Sequence, residues 1–365
     1  MRFIFIPTLS SGGAEKIASS ILNNSDRLEA VCFFSSESPY YINRPVKYII
    51  NSNVPNNILF RLFCYVYIFF WLVCFFNYKK CKYVQSHLHT TSILVFLARK
   101  LSIRKIVHDS VLHGRLKVEK RKGGVYFNLL LLAYKNCRYV VCVSNGVIDE
   151  CSQFALTNTK LILNGLSFIP SRSRERSHQK KMLCVGRLSK VKRMRDVILA
   201  MKGLDEDISL DIYGGGQEFE ELNNLVLSLN LNHRVRIFGF VNNLAETYKS
   251  YDVMVSCSES ETFSLALLES LVCATPVISS NCEYGPKELL DVDDEKYFLL
   301  KDTFLAIEGK GIVYQVGDVL SLIKSIDFFF DNRNQFIIRD ELVSYLIEKY
   351  SNKKMLESYL LLERL

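Results

Sequence analysis

Proline is scarce in this 365-residue chain, with 7 copies, and glycine reaches only 17. Collagen-like repeats and Pro/Gly-rich disorder are thereby excluded, and 49% hydrophobic against 23% charged residues is the composition of a folded chain. No Cys-x-x-Cys pair occurs among the 11 scattered cysteines. A zinc ribbon or a disulfide framework needs paired spacing, so the thiols read as buried side chains in a reducing compartment. The opening Met1-Arg-Phe-Ile-Phe-Ile-Pro7 lacks the apolar run and cleavage site of a signal peptide, and a cytoplasmic location is expected. Acidic residues are few in the first half: residues 1–180 hold 9 Asp and Glu against 25 Lys and Arg, whereas residues 181–365 hold 29 against 21.

At roughly 150 residues per domain the length predicts two domains. A basic half joined to an acidic one points a polyanion at the first half alone: nucleic acid, an anionic membrane or a diphosphate lipid. Nothing resembles a recognition helix or a base-stacking platform, so no nucleic acid is expected. Leu62–Phe76 is fifteen residues without a charge, eight of them aromatic, and Lys79, Lys80 and Lys82 follow at once. The region 58–78 fits three placements. It can be a buried helix, a helix docked on an anionic membrane surface, or a short span, although a span wants about 20 apolar residues.

Short β-branched or aromatic runs alternate with helical stretches along the whole chain. Strands are expected near 2–7, 30–34, 47–50, 82–86, 105–108, 138–143 and 160–163, then 182–186, 209–213, 234–238, 252–256 and 276–279. The polar stretch 171–181 reads as a linker. The fold class predicted is α/β, with two doubly wound parallel sheets. The domains expected are 1–170, 182–340 and a terminal helix over 341–365. Ligands of such sheets sit at the carboxyl ends of the strands, here expected in a cleft between the domains.

Candidate chemistry follows the strand ends. Gly12-Gly13 opens a helix after the first strand, where free amides suit a phosphate; a plain tight turn explains the same residues. Arg187 and Lys192 follow the first strand of the second half, and Arg with Lys can grip a diphosphate; a solvated basic loop is the alternative. Glu261 stands at a strand-to-helix turn. Glu269, eight positions on, interrupts an apolar helical face and points to a partner rich in hydroxyl donors. Asp205 and Asp207 have the carboxylate spacing of metal-dependent transferases, but their polar turn reads as a solvated loop.

Glu261 and Glu269 match the Glu-x7-Glu motif, and the chain resembles the retaining glycosyltransferases of family four. Supporting matches fall in that family's order: Gly12-Gly13-Ala-Glu, His108, Val143-Ser-Asn-Gly146, Asn164-Gly165, Gly186-Arg187 with Lys192, Tyr213-Gly-Gly-Gly216, Gly239, Pro276-Val-Ile and Gly285-Pro-Lys-Glu288. The resemblance covers about residues 1–340. It implies a GT-B fold of two Rossmann-like domains with a terminal helix returning to the first. It also implies roles. Arg187, Lys192 and the backbone of Gly13 bind the donor diphosphate, Glu269 the ribose and Glu261 the transferred sugar. The amides of Phe263, Ser264 and Leu265 meet donor oxygens, Phe240 and Val241 border the base, and His108 is the active-site histidine, with His87 and His89 as rivals. Thr262, Ser264, Ala274 and Arg193 depart from the family by standing where glycine is common.

The function so implied is a retaining hexosyltransferase. It would move a hexose or N-acetylhexosamine from a nucleoside-diphosphate sugar, expected to be UDP-linked, to a lipid-linked saccharide in lipopolysaccharide O-antigen or capsule assembly. It would work as a peripheral protein on the inner face of the cytoplasmic membrane. No cofactor or metal is expected, because two cations can neutralise the leaving diphosphate. The alternatives are a non-catalytic membrane partner of the same fold and a sugar-nucleotide epimerase.

Overall fold

A computed structural model of the chain describes residues 1–10, 12–36, 40–121, 123–166, 168–170, 180–241, 244–293 and 303–364. The chain divides into two compact units, Met1–Gly165 with Asn352–Leu365, and Leu166–Ser351. The body of the expected linker, 171–179, lies outside the described residues, and its last two positions, Lys180 and Lys181, are already strand. The region expected as one terminal helix contains two. Asp340–Lys349 belongs to the second unit and Asn352–Arg364 to the first, the boundary falling after Ser351.

The first unit is built on β1 (Arg2–Ile6), β2 (Leu28–Phe34), β3 (Val46–Ile50), β4 (Tyr83–His87), β5 (Val107–Leu112), β6 (Tyr139–Cys142) and β7 (Thr159–Leu161). Their order is β3-β2-β1-β4-β5-β6-β7 and every pairing is parallel. The direction of winding therefore reverses between β1 and β4. Strands covered on both faces are apolar or internally bonded throughout, and all five residues of β4 are buried.

The second unit contains β8 (Lys180–Val185), β9 (Ile208–Tyr213), β10 (Val235–Ile237), β11 (Val253–Ser256), β12 (Val277–Ser280), β13 (Phe304–Ile307) and β14 (Gly311–Tyr314). They run β10-β9-β8-β11-β12-β14-β13, parallel except for the β13–β14 edge pair, and the winding reverses between β8 and β11. β13 and β14 were not anticipated from sequence. Each is four residues long, and a tight turn through Gly309, at φ 69°, joins them.

The apolar stretch after β3 forms the 21-residue helix Ile58–Tyr78. Asn57 caps it by accepting from the amide of Phe60 at 3.1 Å. Cys64, Ile68, Leu72, Phe75 and Phe76, at helical spacing, pack onto Phe3, Phe5, Val31 and Phe34 of the sheet. Burial of each large side chain contributes roughly 1.5–3 kcal/mol. The opposite face is bare: Leu59, Leu62, Phe63, Val66, Tyr67 and Phe70 are all exposed. Only 22% of the helix's most apolar window is buried, so it is amphipathic in packing although not in composition.

Candidate active site

Ligands of doubly wound sheets bind where the winding reverses, at the carboxyl ends of the strands. In the second unit that point is the end of β8 and of β11. β8 runs into Gly186 and Arg187, and a side chain on Gly214 would come within 1.8 Å of the Gly186 carbonyl, so the loops after β8 and β9 abut. Arg187 is exposed at this edge. Lys192 closes the single 3-10 turn Lys190–Lys192, and the following helix starts only at Met194. The amide of Glu259 donates to the Val191 carbonyl at 2.8 Å, stitching the β8 loop to the β11 loop.

That stitch brings Lys192 onto Glu261. The Lys192 Nζ lies 2.5 Å from Glu261 Oε1, and the Ser258 hydroxyl donates to the same oxygen at 2.8 Å. Glu269, on the helix Leu265–Val272, is 7% exposed and accepts from the Tyr248 hydroxyl at 3.2 Å. Burial first, and then the charge of Glu269, push the Tyr248 phenol well above its ordinary range, so it remains a donor. A carboxylate oxygen is a hydrogen-bond acceptor, the property that recognition of sugar hydroxyls requires. Tyr248 is distant in sequence, and nothing in the sequence marked it.

Phe263 is buried with its ring 5.2 Å from that of Tyr350. Its carbonyl lies so close to Gly285 that a Cβ there would stand 2.2 Å away. Ser264 precedes the helix with φ 71°, and the helix begins at Leu265, whose first-turn amides have no partner within the helix. Phe240 and Val241 are half-exposed after β10. They follow Gly239, which takes φ 74° while its carbonyl accepts from Gly214 at 2.7 Å. Beside them Tyr213 and Phe238 stack at 4.7 Å with a 7° interplanar angle, and the Arg236 guanidinium caps Phe238 at 5.0 Å. This flat aromatic pair was also missed, because a strand-end Tyr and an edge Phe meet only once β9 pairs with β10.

Gly13 belongs to the first unit, where it starts the helix Gly13–Asn24 at the carboxyl end of β1. Tyr40 clamps the turn: its hydroxyl accepts from the Gly12 amide at 3.1 Å and donates to the Gly12 carbonyl at 3.0 Å. Gly12 itself is extended, at φ 174°, so its conformation does not call for glycine.

The expectation for His108 is corrected. It was expected at the end of a strand over 105–108, but β5 begins at Val107 and His108 is its second residue, with no exposed surface. The polar Asp109 and Ser110 concealed the strand, whose interior positions they occupy. His108 Nε2 shares a hydrogen bond with the Ser86 hydroxyl at 2.8 Å, and Cys137 Sγ lies 3.5 Å from Nδ1. Burial, reinforced by Arg99, lowers its pKa to about 3, so it stays neutral. An imidazole sealed in the sheet cannot touch a substrate. The histidine that does stand at the carboxyl end of β5 is His113, whose Nε2 is 2.9 Å from Nδ1 of His87 at the end of β4. His89, one residue beyond Leu88, holds the Tyr134 hydroxyl at 2.7 Å.

Asp205 and Asp207 lie at the opposite, amino edge of the second sheet, both exposed, with Lys180 reaching the two carboxylates at 3.4 and 3.0 Å.

Residues 167–348 match the family model of the glycosyl transferases, group 1. The matched residues carry Arg187, Lys192, Glu261 and Glu269. The chain is 28% identical over 242 residues to N-acetyl-alpha-D-glucosaminyl L-malate synthase of Bacillus anthracis, covering 58% of this chain and 63% of that protein. It is 37% identical over 116 residues to N-acetylgalactosamine-N,N'-diacetylbacillosaminyl-diphospho-undecaprenol 4-alpha-N-acetylgalactosaminyltransferase of Campylobacter jejuni, covering 32% of each. The chain thus spans less than two thirds of the length of these relatives. Among solved structures, sucrose-phosphate synthase of Thermosynechococcus elongatus superposes with a TM-score of 0.78 at 16% identity, covering 100% of this chain and 98% of the other. Anabaena Alr3699/HepE in complex with UDP and glucose superposes at 0.77 and 16% identity, covering 98% of both. That likeness establishes the fold, the two-domain α/β architecture expected of a GT-B protein.

Proposed function

We propose that this chain is a retaining glycosyltransferase that takes its sugar from a UDP-linked donor. The observation that carries the reading is the set Arg187, Lys192, Glu261 and Glu269, on the elements that follow β8 and β11 at the reversal point of the second unit's sheet. Two cations and two carboxylates there answer the two halves of such a donor: diphosphate oxygens for Arg187 and Lys192, hydroxyls for Glu261 and Glu269. In the reaction the bond from the anomeric carbon to the diphosphate breaks, and the acceptor oxygen bonds to the same face. The acceptor's proton passes to the departing phosphate oxygen. Arg187 and Lys192 stabilise the negative charge that grows on that diphosphate, and no metal is assigned. Glu261 acts where the sugar turns cationic. Tyr213 and Phe238, with Phe240 and Val241, offer the base a flat apolar border. His113 replaces His108 as the histidine of the acceptor domain.

The acceptor in this reading is a lipid-linked saccharide of O-antigen or capsule type, used at the inner face of the membrane. The name of the Campylobacter relative, a transferase acting on a diphospho-undecaprenol saccharide, supports it. So does the bare apolar face of Ile58–Tyr78 running into the exposed Lys79, Lys80 and Lys82. A hexose or N-acetylhexosamine is the group transferred, in keeping with the N-acetylglucosaminyl and N-acetylgalactosaminyl groups in the names of the two relatives. Radiolabelled UDP-sugars offered with undecaprenyl-diphosphate saccharides test the proposal. Label should move into the lipid fraction with wild type and fall at least a hundredfold with Glu261→Gln. Equal incorporation by the two proteins would overturn it.

A further inference from the structure

At the amino edge of the first sheet, away from the strand ends that form the candidate site, lies a cavity of about 150 Å³. Its walls are apolar: Phe3 of β1, Val31 of β2, Val46 of β3 and Phe75 of the long helix. A cavity of that size takes a group of about six carbons. Lys47 and Lys79 also line it. The Lys47 Nζ sits 5.1 Å over the Trp71 ring and 6.0 Å over Phe75, and among the described residues neither lysine has a carboxylate within ion-pair distance. Glu29 is the one carboxylate on the lining, and it pairs with neither. The surroundings add to the positive field, because the sequence has no Asp or Glu between Glu37 and Asp109. Lys79 directly follows the helix Ile58–Tyr78, so the pocket lies at the helix's basic end, on the side that Phe75 turns to the sheet.

We infer that this pocket binds a single anionic amphiphile, its phosphate between Lys47 and Lys79 and the first carbons of its chain against Phe3, Val31 and Phe75. Ammonium groups beside a hollow with apolar walls match a phosphate attached to hydrocarbon, and a lone phosphate would leave the hollow unused. The inference rests on the membrane reading above and adds to it a discrete lipid site at headgroup level. Such a site would fix the rotation of the docked first unit about its helix, which a diffuse basic patch cannot do.

Trp71 is the chain's single tryptophan and stacks on Phe75 at 4.8 Å, so its fluorescence reports on the site. Decyl phosphate, titrated below its micelle concentration into the full chain, should shift Trp71 emission saturably. Lys47→Glu with Lys79→Glu should weaken that binding on the order of tenfold, and Glu29→Gln should tighten it. Both variants change exposed side chains, and circular dichroism verifies their folding. An equal response to inorganic phosphate, or an unchanged affinity in the double variant, would overturn the pocket. Wild type is also sedimented with phosphatidylglycerol vesicles. Pelleting without a decyl phosphate response leaves membrane docking standing and sinks the pocket. A saturable response without pelleting supports the pocket and sinks docking.

Discussion

Lys192 and Glu261 share one hydrogen bond of 2.5 Å across the mouth of the second unit's sheet. Each was assigned to a different half of a donor molecule, and without donor they satisfy one another. Binding must therefore exchange this pair for contacts with diphosphate and sugar. Lys192→Ala should weaken UDP binding by roughly 1.5–3 kcal/mol, the range for hydrogen bonds to charged groups. Glu261→Gln should leave UDP affinity near wild type or better, since it frees the lysine, yet slow transfer by roughly 10²–10³. Calorimetry on both single variants and the double variant checks the coupling. Strictly additive losses would mean that the pair does not govern donor entry.

Three of the four departures from the family's glycines have a conformational consequence. Arg193, Ser264 and Ala274 take φ of 49°, 71° and 56°, the left-handed region in which a side chain costs roughly 1–2 kcal/mol. Thr262 is not among them. Ala274→Gly should therefore stabilise the second unit, offset in part by glycine's larger unfolded entropy, raising Tm by about 2 °C. Arg193→Gly should destabilise instead, because Arg193 Nε donates at 2.7 Å to Asp196, which is buried. Thermal unfolding of the two variants should thus give opposite signs. A fall in Tm for Ala274→Gly would contradict the strain argument.

The outline of the fold was readable because parallel strands covered on both faces must be apolar, and most runs of Val, Ile, Phe and Tyr became strands within a residue or two. β5 was displaced for the opposite reason. Asp109 and Ser110 are interior yet polar, tolerated because Arg138 and Tyr83 bond the first and Ser86 and Ser92 the second. Partners 18 to 29 residues away cannot be seen in a local pattern. The same limit hid Tyr248 under Glu269 and the Tyr213–Phe238 stack. Arg187, Lys192 and Glu261 could be singled out because strand ends are where such sheets expose chemistry, and Glu269 because it interrupts an apolar helical face, signals that need only local sequence.

His108 predicts a pH dependence of stability. Its pKa is lowered to about 3 in the fold, against an ordinary value of 6.5, so between those limits the unfolded chain binds the proton and the native chain does not. The stabilising contribution is complete above about pH 6.5 and is lost as the pH falls, at roughly 1.4 kcal/mol per unit for one such group. Denaturant unfolding at pH 7 and pH 5 should show the drop, and His108→Gln should flatten it while lowering stability at pH 7. His113 behaves alike, its pKa held near about 3 by burial and by His89, so some slope survives in that variant. A slope unchanged by His108→Gln would mean that this imidazole does not titrate on unfolding as argued.

The long helix separates two kinds of aromatic residue that composition alone merges. Phe63, Tyr67 and Phe70 lie on the bare face, whereas Ile68 and Leu72, on the same turns, have no exposed surface. Phe63→Ser with Tyr67→Ser and Phe70→Ser should therefore leave folding and UDP affinity unchanged, since no core contact is lost. Binding to phosphatidylglycerol vesicles should fall, because three rings no longer enter the interface. Ile68→Ala with Leu72→Ala should do the reverse, removing packing worth roughly 2–5 kcal/mol per site and lowering Tm before any effect on vesicles. Salt adds an independent check. The field of Lys79, Lys80 and Lys82 is screened within about 8 Å at physiological ionic strength, whereas apolar insertion is not. Wild type should therefore be released only partly by salt, and the triple serine variant almost fully. If that variant pelleted as well as wild type at high salt, the bare face would have no part in membrane binding.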